Sequence, residues 1–186
     1  TCVLKQASGL PVRPAALITG STDGIGLTTA KNLAAKGYDV VIHGRDASRV
    51  EQAAKTVRSF VENRSNDPGS PLVLTLPPVD VSTVEGCKQL ATDVEALCNT
   101  NNLKLSVLMN NAGVYAEKHI VTSAGLEQTF AVNVLAPFVI TSYLLPLLLK
   151  QKSRIVIASS LSQCQSIRFW DDLQCSKRSY SAHGAY

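Results

Sequence analysis

The chain has 186 residues, the length of one ordinary domain, and 45% of them are hydrophobic against 17% charged. With a mean hydropathy of +0.10 it can bury a real core, which excludes a disordered chain. Lys and Arg number 18 against 14 Asp and Glu, a net charge of +4. No long Lys/Arg run concentrates that excess, so no nucleic-acid partner is expected.

The first apolar run, Ala15 to Thr19, reads as a strand. Gly26 to Lys36 then carries Leu27, Ala30, Leu33 and Ala34 as a helical stripe, and Gly37 ends it. Val40 to His43 is the second strand, Ser48 to Glu62 the second helix, and Asn63 to Pro71 has linker-like composition. Leu72 to Leu76 is the third strand. Ser82, with Glu85 three residues on, forms the capping-box pattern for a helix to about Cys98. Leu105 to Met109 is the fourth strand, Ala124 to Lys150 a long helix, and Arg154 to Ser159 the fifth strand. Strands alternating with helices in this way predict an α/β fold, a doubly wound parallel sheet with right-handed crossovers. Ligands of such sheets bind beyond the carboxyl ends of the strands, at the switch point.

Three further features bound the class. Cys2, Cys87, Cys98, Cys164 and Cys175 are odd in number and widely spaced, which fits neither a disulfide framework nor a metal site. Reduced thiols and a cytoplasmic or cytosol-facing setting are expected. The apolar stretch Val134 to Leu149 contains Pro137 and Pro146 and falls short of the ~20 residues of a spanning helix. It reads as a core helix. The chain opens on Thr1 rather than Met, as a processed or cut chain does.

Directly after the first strand comes Thr19-Gly20-Ser21-Thr22-Asp23-Gly24-Ile25-Gly26, opening a helix. Glycines let a backbone turn tightly and approach a pyrophosphate, and the helix N-terminus offers unpaired N–H groups. The bland alternative is a glycine-rich turn with no ligand, but the strand–turn–helix setting is what a nucleotide site requires. The second strand ends His43-Gly44-Arg45, with glycine where a ribose-binding carboxylate would stand and a guanidinium next to it. Arg45 can fork onto a 2′-phosphate, which points to NADP(H) rather than NAD(H); the alternative is a solvated Arg45 paired with Asp46. Asp23 in the glycine turn is a counter-signal, because its charge adds nothing favourable near phosphates.

The spacing T-G-x-x-x-G-I-G resembles the glycine motif of the short-chain dehydrogenase/reductase family, and the likeness continues. Asp80 stands in Val79-Asp80-Val81, then come Asn110-Asn111-Ala112-Gly113, Asn133, and Ser159-Ser160. The resemblance implies that Asp80 and Val81 meet the adenine and that Asn111, Ala112 and Gly113 flank the cofactor ribose. Asp80 as a simple turn cap and the Asn-rich segment as an empty turn are the alternatives. It also implies that the main-chain carbonyl of Asn133 holds a relay water. Pro137, four residues on, has no N–H for that carbonyl, so a kink is expected there, with packing as the alternative cause. The family's catalytic serine matches Ser160, with Ser159, on the opposite side of the strand, as the competitor. Its catalytic tyrosine matches Tyr186, because Tyr180 is followed four residues later by Gly184 rather than Lys.

For Tyr186 the matching Lys would be residue 190, beyond this chain. These residues are therefore expected to form a single NADP-binding domain, 1–186, without the later strands and substrate loop, and to show no turnover alone. The long spacing from Ser160 to Tyr186, with Trp170-Asp171-Asp172-Leu173 inside it, looks similar to the retinol-dehydrogenase-like branch, dehydrogenase/reductase X-type proteins included. The resemblance implies a small carbonyl or alcohol substrate of lipophilic kind, and a homodimer through the helix of Asn133. A catalytically silent nucleotide-binding module is the alternative reading. The G-x-x-G-x-x-G spacing usual in the family's epimerases and dehydratases does not occur in the glycine turn.

Overall fold

The computed structural model describes residues 12–64, 69–161, 167 and 169–186. Five parallel strands form one sheet in the order β3-β2-β1-β4-β5. They are β1 (Arg13–Ile18), β2 (Asp39–Ile42), β3 (Val73–Thr75), β4 (Leu103–Asn110) and β5 (Arg154–Ile157). Helices α1 (Gly24–Ala34), α2 (Ala47–Glu62) and α3 (Val84–Thr100) and a long helix, Gln128–Gln151, make the crossovers. The predicted doubly wound sheet is the observed one.

Strand alternation divides the core in two. Ala15 and Leu17 of β1 face a cluster with Leu90 and Val94 of α3 and Ile140, Leu144 and Leu148 of the long helix. Ala16 and Ile18 face the other way, against Ala30 and Ala34 of α1 and Ala53, Ala54 and Val57 of α2. Each fully buried Leu or Ile contributes about 1.5–3 kcal/mol. On the polar side, Arg13 forks onto Asp39 at 2.7 and 2.8 Å, and Asp39 also accepts from Leu72 N–H, tying β1 and β2 to the approach to β3.

Caps set the helix boundaries and shift three expectations. Helix α1 starts at Gly24 because the Asp23 carboxylate accepts the Gly24 N–H. Helix α3 starts at Val84, capped by Thr83; Ser82 instead gives its hydroxyl to Asp80. The long helix starts at Gln128, not Ala124, because the buried Glu127 carboxylate accepts from Thr129 N–H and Phe130 N–H. Residues before it turn back through a Val121–Glu127 bridge.

That helix is also longer than its apolar run suggested: at 24 residues it meets the length and composition of a membrane span. Its Val139, Ile140, Leu144 and Leu148 lie in the core, as expected of a core helix. Its other side leaves Val134, Phe138, Tyr143, Leu145 and Leu149 exposed. The kink expected at Asn133 takes the form of a π turn, Ala131–Leu135, with Pro137 directly after it in the first turn of regular α-helix.

Candidate functional site

The chain runs outward from β1 to β3 and then returns to β4 on β1's other side, so a crevice opens between the carboxyl ends of β1 and β4. There the glycine turn and the Asn-rich segment are fastened together. Thr19 Oγ1 accepts from Asn111 N–H and Ala112 N–H, both at 3.0 Å. Asn111 Nδ2 donates back to the carbonyls of Thr19 (2.9 Å) and Gly20 (3.1 Å). Only glycine fits this seam. Gly20 has φ +63°, and a Cβ there would lie 2.8 Å from Ala112 Cα; one on Gly26 would lie 2.4 Å from the Gly20 carbonyl oxygen.

A cleft of about 440 Å³ occupies the crevice. From the glycine turn it is lined by Gly20, Thr22, Asp23, Gly24, Ile25 and Gly26, and from the end of β2 by Arg45. Asp80 and Val81 form one wall, and Asn111, Ala112 and Gly113 the other. Every expected cofactor residue except Ser21 therefore meets at one cleft. Ser21 lies beneath it, fully buried, its N–H donating to the His43 carbonyl and its hydroxyl accepting the His43 N–H.

The local chemistry of this cleft suits a nucleotide. Arg45 is exposed and makes no ion pair among the described residues. Asp46, its alternative partner, instead caps α2 through Arg49 N–H and Ser48 Oγ, and the Ser48 hydroxyl bond holds its pKa below the ordinary value. Gly44 is buried, and a Cβ there would sit 2.6 Å from Thr22 Cγ2. A ribose-binding carboxylate there would have to displace the Thr22 methyl. Asp80 spends both oxygens on Ser82, at 3.0 and 2.9 Å, the turn-capping geometry, while still lining the cleft.

Sequence reading passed over His43, which lines the same cleft at 2% exposure. Its Nδ1 accepts the Gly20 N–H at 3.2 Å, which places the ring hydrogen of the neutral form on Nε2. Burial pushes its pKa down to about 4, with the Val79 backbone and Asp80 opposing. The signal was available: His43 is the one polar residue ending the apolar run Val40-Val41-Ile42. Arg49 and Val114 also line the cleft and were not anticipated.

The three expected catalytic residues lie outside the cleft lining. Asn133 is fixed by its side chain: Oδ1 accepts from Val114 N–H at 2.8 Å and Nδ2 donates to Val114 O at 2.9 Å. The Tyr186 ring packs edge-on against Tyr115, centroids 5.4 Å apart. Ser160, half-buried, follows β5, which is tied to the end of β4 by Ala158 N–H to Asn110 O. Val114 and Tyr115 thus contact two of the three residues. The next residue, Ala116, accepts the Tyr180 hydroxyl at 2.8 Å. Among the described residues, Cys87, Cys98 and Cys175 are free thiols and no three His, Cys, Asp or Glu side chains form a metal cluster; Cys2 and Cys164 lie outside those residues.

Comparison with known proteins gives a consistent picture. The short chain dehydrogenase family profile matches residues 14–181. Human polyprenol dehydrogenase is 34% identical over 95% of this chain and 52% of its own length. Human retinol dehydrogenase 13 is 30% identical over 91% of this chain and 48% of its own length. The chain thus spans about half the length of these curated relatives. Its fold is shared with a metagenomic short-chain oxidoreductase solved in complex with NADP, at a TM-score of 0.66 and 22% identity over 94% of this chain and 68% of that one.

Proposed function

Because the chain belongs to the short chain dehydrogenase family, we propose that residues 1–186 form the nucleotide-binding domain of an NADP(H)-dependent oxidoreductase interconverting a carbonyl and an alcohol. The observation that carries this reading is the stapled seam. Thr19 and Asn111 lock the glycine turn and the Asn-rich segment into one cleft at the switch point, with the Arg45 guanidinium at its edge in no ion pair among the described residues. Gly44 supports the choice of NADP(H), since it lacks the acidic side chain that NAD(H) would favour and packs closely against the Thr22 methyl. The relatives named for polyprenol and retinol, both lipophilic alcohols, support a substrate of that kind.

In this reading NADP(H), when bound, supplies or accepts the hydride. The glycine turn and the N-terminus of α1 hold its pyrophosphate, and Asp80, Val81, Asn111, Ala112 and Gly113 hold its adenosine and ribose. Ser160 donates a hydrogen bond to the substrate oxygen, and Tyr186 gives that oxygen its proton. A phenol is a weak acid at neutral pH and a neighbouring cation strengthens it, the part a Lys at position 190 would play. The Asn133 carbonyl, facing a proline with no N–H, anchors the relay water. The exposed face of Val134, Phe138, Tyr143, Leu145 and Leu149 supports pairing of two copies along the long helix.

Calorimetric titration of the product of the whole reading frame tests the cofactor: NADPH binds and NADH binds more weakly. Binding of neither sinks the proposal. NADPH oxidation by the product of the whole reading frame, with a panel of long-chain aldehydes and ketones, tests the chemistry. Loss of turnover in Tyr186→Phe is the expected result. Nucleotide binding without turnover in the unaltered product would identify a silent binding module instead.

A further inference from the structure

Two guanidinium groups, not one, line the mouth of the cleft. Arg49 sits in the first turn of α2 and reaches over to the glycine turn, its Nη2 3.4 Å from Asp23 Oδ2. Both side chains are exposed, at 58% for Arg49 and 80% for Asp23. The other Asp23 oxygen, Oδ1, is already committed to the Gly24 N–H at 2.7 Å, where it caps α1. Thr22, Asp23, Ser48, Arg49 and Gln52 line a second, open recess that shares Thr22, Asp23 and Arg49 with the cleft. Of the other carboxylates nearby, Asp46 accepts from Arg49 N–H and Ser48 Oγ, and Asp80 accepts from Ser82 N–H and Oγ.

The geometry points to Arg49 as a second specificity-determining cation for the 2′-phosphate of the cofactor, held in the free protein by Asp23, which acts as an internal competitor. The inference rests on the NADP(H) reading above and adds to it a residue and an exchange of partners. The physical ground is the inequality of the two pairings. An ion pair this long between exposed side chains is weak and screened by salt. A phosphate carries more charge than a carboxylate and accepts a guanidinium fork. Arg49 therefore gives up Asp23 at little cost when a phosphate arrives beside Arg45. The aspartate that weighed against phosphate binding in the sequence becomes the partner that keeps Arg49 at the cleft until then.

The test is calorimetry on the product of the whole reading frame at low ionic strength, comparing Kd for NADPH with Kd for NADH, so that effects on the shared pyrophosphate cancel. Arg49→Met should reduce the NADPH-over-NADH preference about tenfold, and Arg49→Lys, which keeps the charge and loses the fork, should fall between. Asp23→Asn retains a good helix cap and should raise the preference about threefold in the wild-type background. In the Arg49→Met background it should change the preference by nothing measurable, because Asp23 acts through Arg49. NADPH binding with an unchanged preference in Arg49→Met, or an Asp23→Asn effect equal in both backgrounds, overturns the inference while leaving the cofactor reading intact. Failure of the wild-type chain to bind either nucleotide overturns both.

Discussion

Asn133 and Val114 are joined by two antiparallel hydrogen bonds, the carboxamide of one closing on the backbone of the other much as a neighbouring strand would. The bonds reach from the π turn of the long helix to the wall of the nucleotide cleft. The side chain thus fixes the spacing between the residue implied in the proton relay and the segment expected to flank the cofactor.

Replacing Asn133 with Ala removes both bonds and leaves the Val114 N–H and carbonyl without partners. The expected cost is about 1–3 kcal/mol of stability, together with weaker NADPH binding through a looser Val114 wall. Denaturant unfolding and calorimetry on the same variant measure the two effects. An Asn133→Ala protein as stable as wild type would show that water replaces the bonds without loss.

His43 predicts a pH dependence with a defined sign. Its pKa in the fold is about 4, below the 6.5 of an unfolded histidine, because burial disfavours the charged ring. The unfolded chain then binds more protons than the native one between those values, so stability rises with pH across this window. The contribution is fully present above pH 6.5 and lost as the pH falls toward 4, by at most about 3 kcal/mol. Unfolding free energies between pH 4.5 and 7.5 should show this slope, and His43→Asn, which keeps an acceptor near the Gly20 N–H, should flatten it.

Gly44 and Thr22 give a paired prediction for cofactor choice. Gly44→Asp alone should weaken binding of both nucleotides, because its Cβ would meet Thr22 Cγ2 at 2.6 Å. Adding Thr22→Ser removes that methyl, and the double variant should favour NADH over NADPH through contacts to the ribose hydroxyls. Competitive titration of the two nucleotides reads the reversal.

Strand β5 forms one edge of the sheet, and its Ile155, Val156 and Ile157 are all exposed. An uncovered apolar edge is an aggregation site. Ile157→Lys, at a position 61% exposed, should change stability by under about 0.5 kcal/mol while slowing the growth of turbidity in a concentrated solution. Equal turbidity in both proteins would place the sticky surface elsewhere, the exposed face of the long helix being next to examine.

Strand positions and the meeting of motifs at the cleft were legible in the sequence, because apolar runs and glycine spacing are local signals. Helix starts were less so. At Thr83 and Glu127 the capping side chain was decided by competition among neighbours: Ser82 was drawn off by Asp80, and Glu127 is a buried carboxylate at the turn of an irregular loop. The bonds from Asn133 to Val114 and from Tyr180 to Ala116 span 19 and 64 positions, and no local pattern announces them. His43 and Arg49 were overlooked for a related reason. Each reads locally as a strand end or a helix surface, and only the return of the chain beside β1 brings them to a common ligand surface.

The π turn at Ala131–Leu135 constrains length as well as shape. The turn takes up one residue more than an α-helical turn, so deleting one there restores the ordinary ladder and leaves the downstream face in place, whereas deleting one from the regular helix between it and Tyr143 rotates everything downstream by about 100° about the helix axis. In the second case Leu144 and Leu148 would swing off the sheet, and Leu145 would be pushed toward it. Gains and losses of residues should therefore be tolerated in the Thr122–Gly125 turn, a single loss absorbed at the π turn, and either one refused in the regular helix beyond it, whose spacing behaves as a fixed gauge.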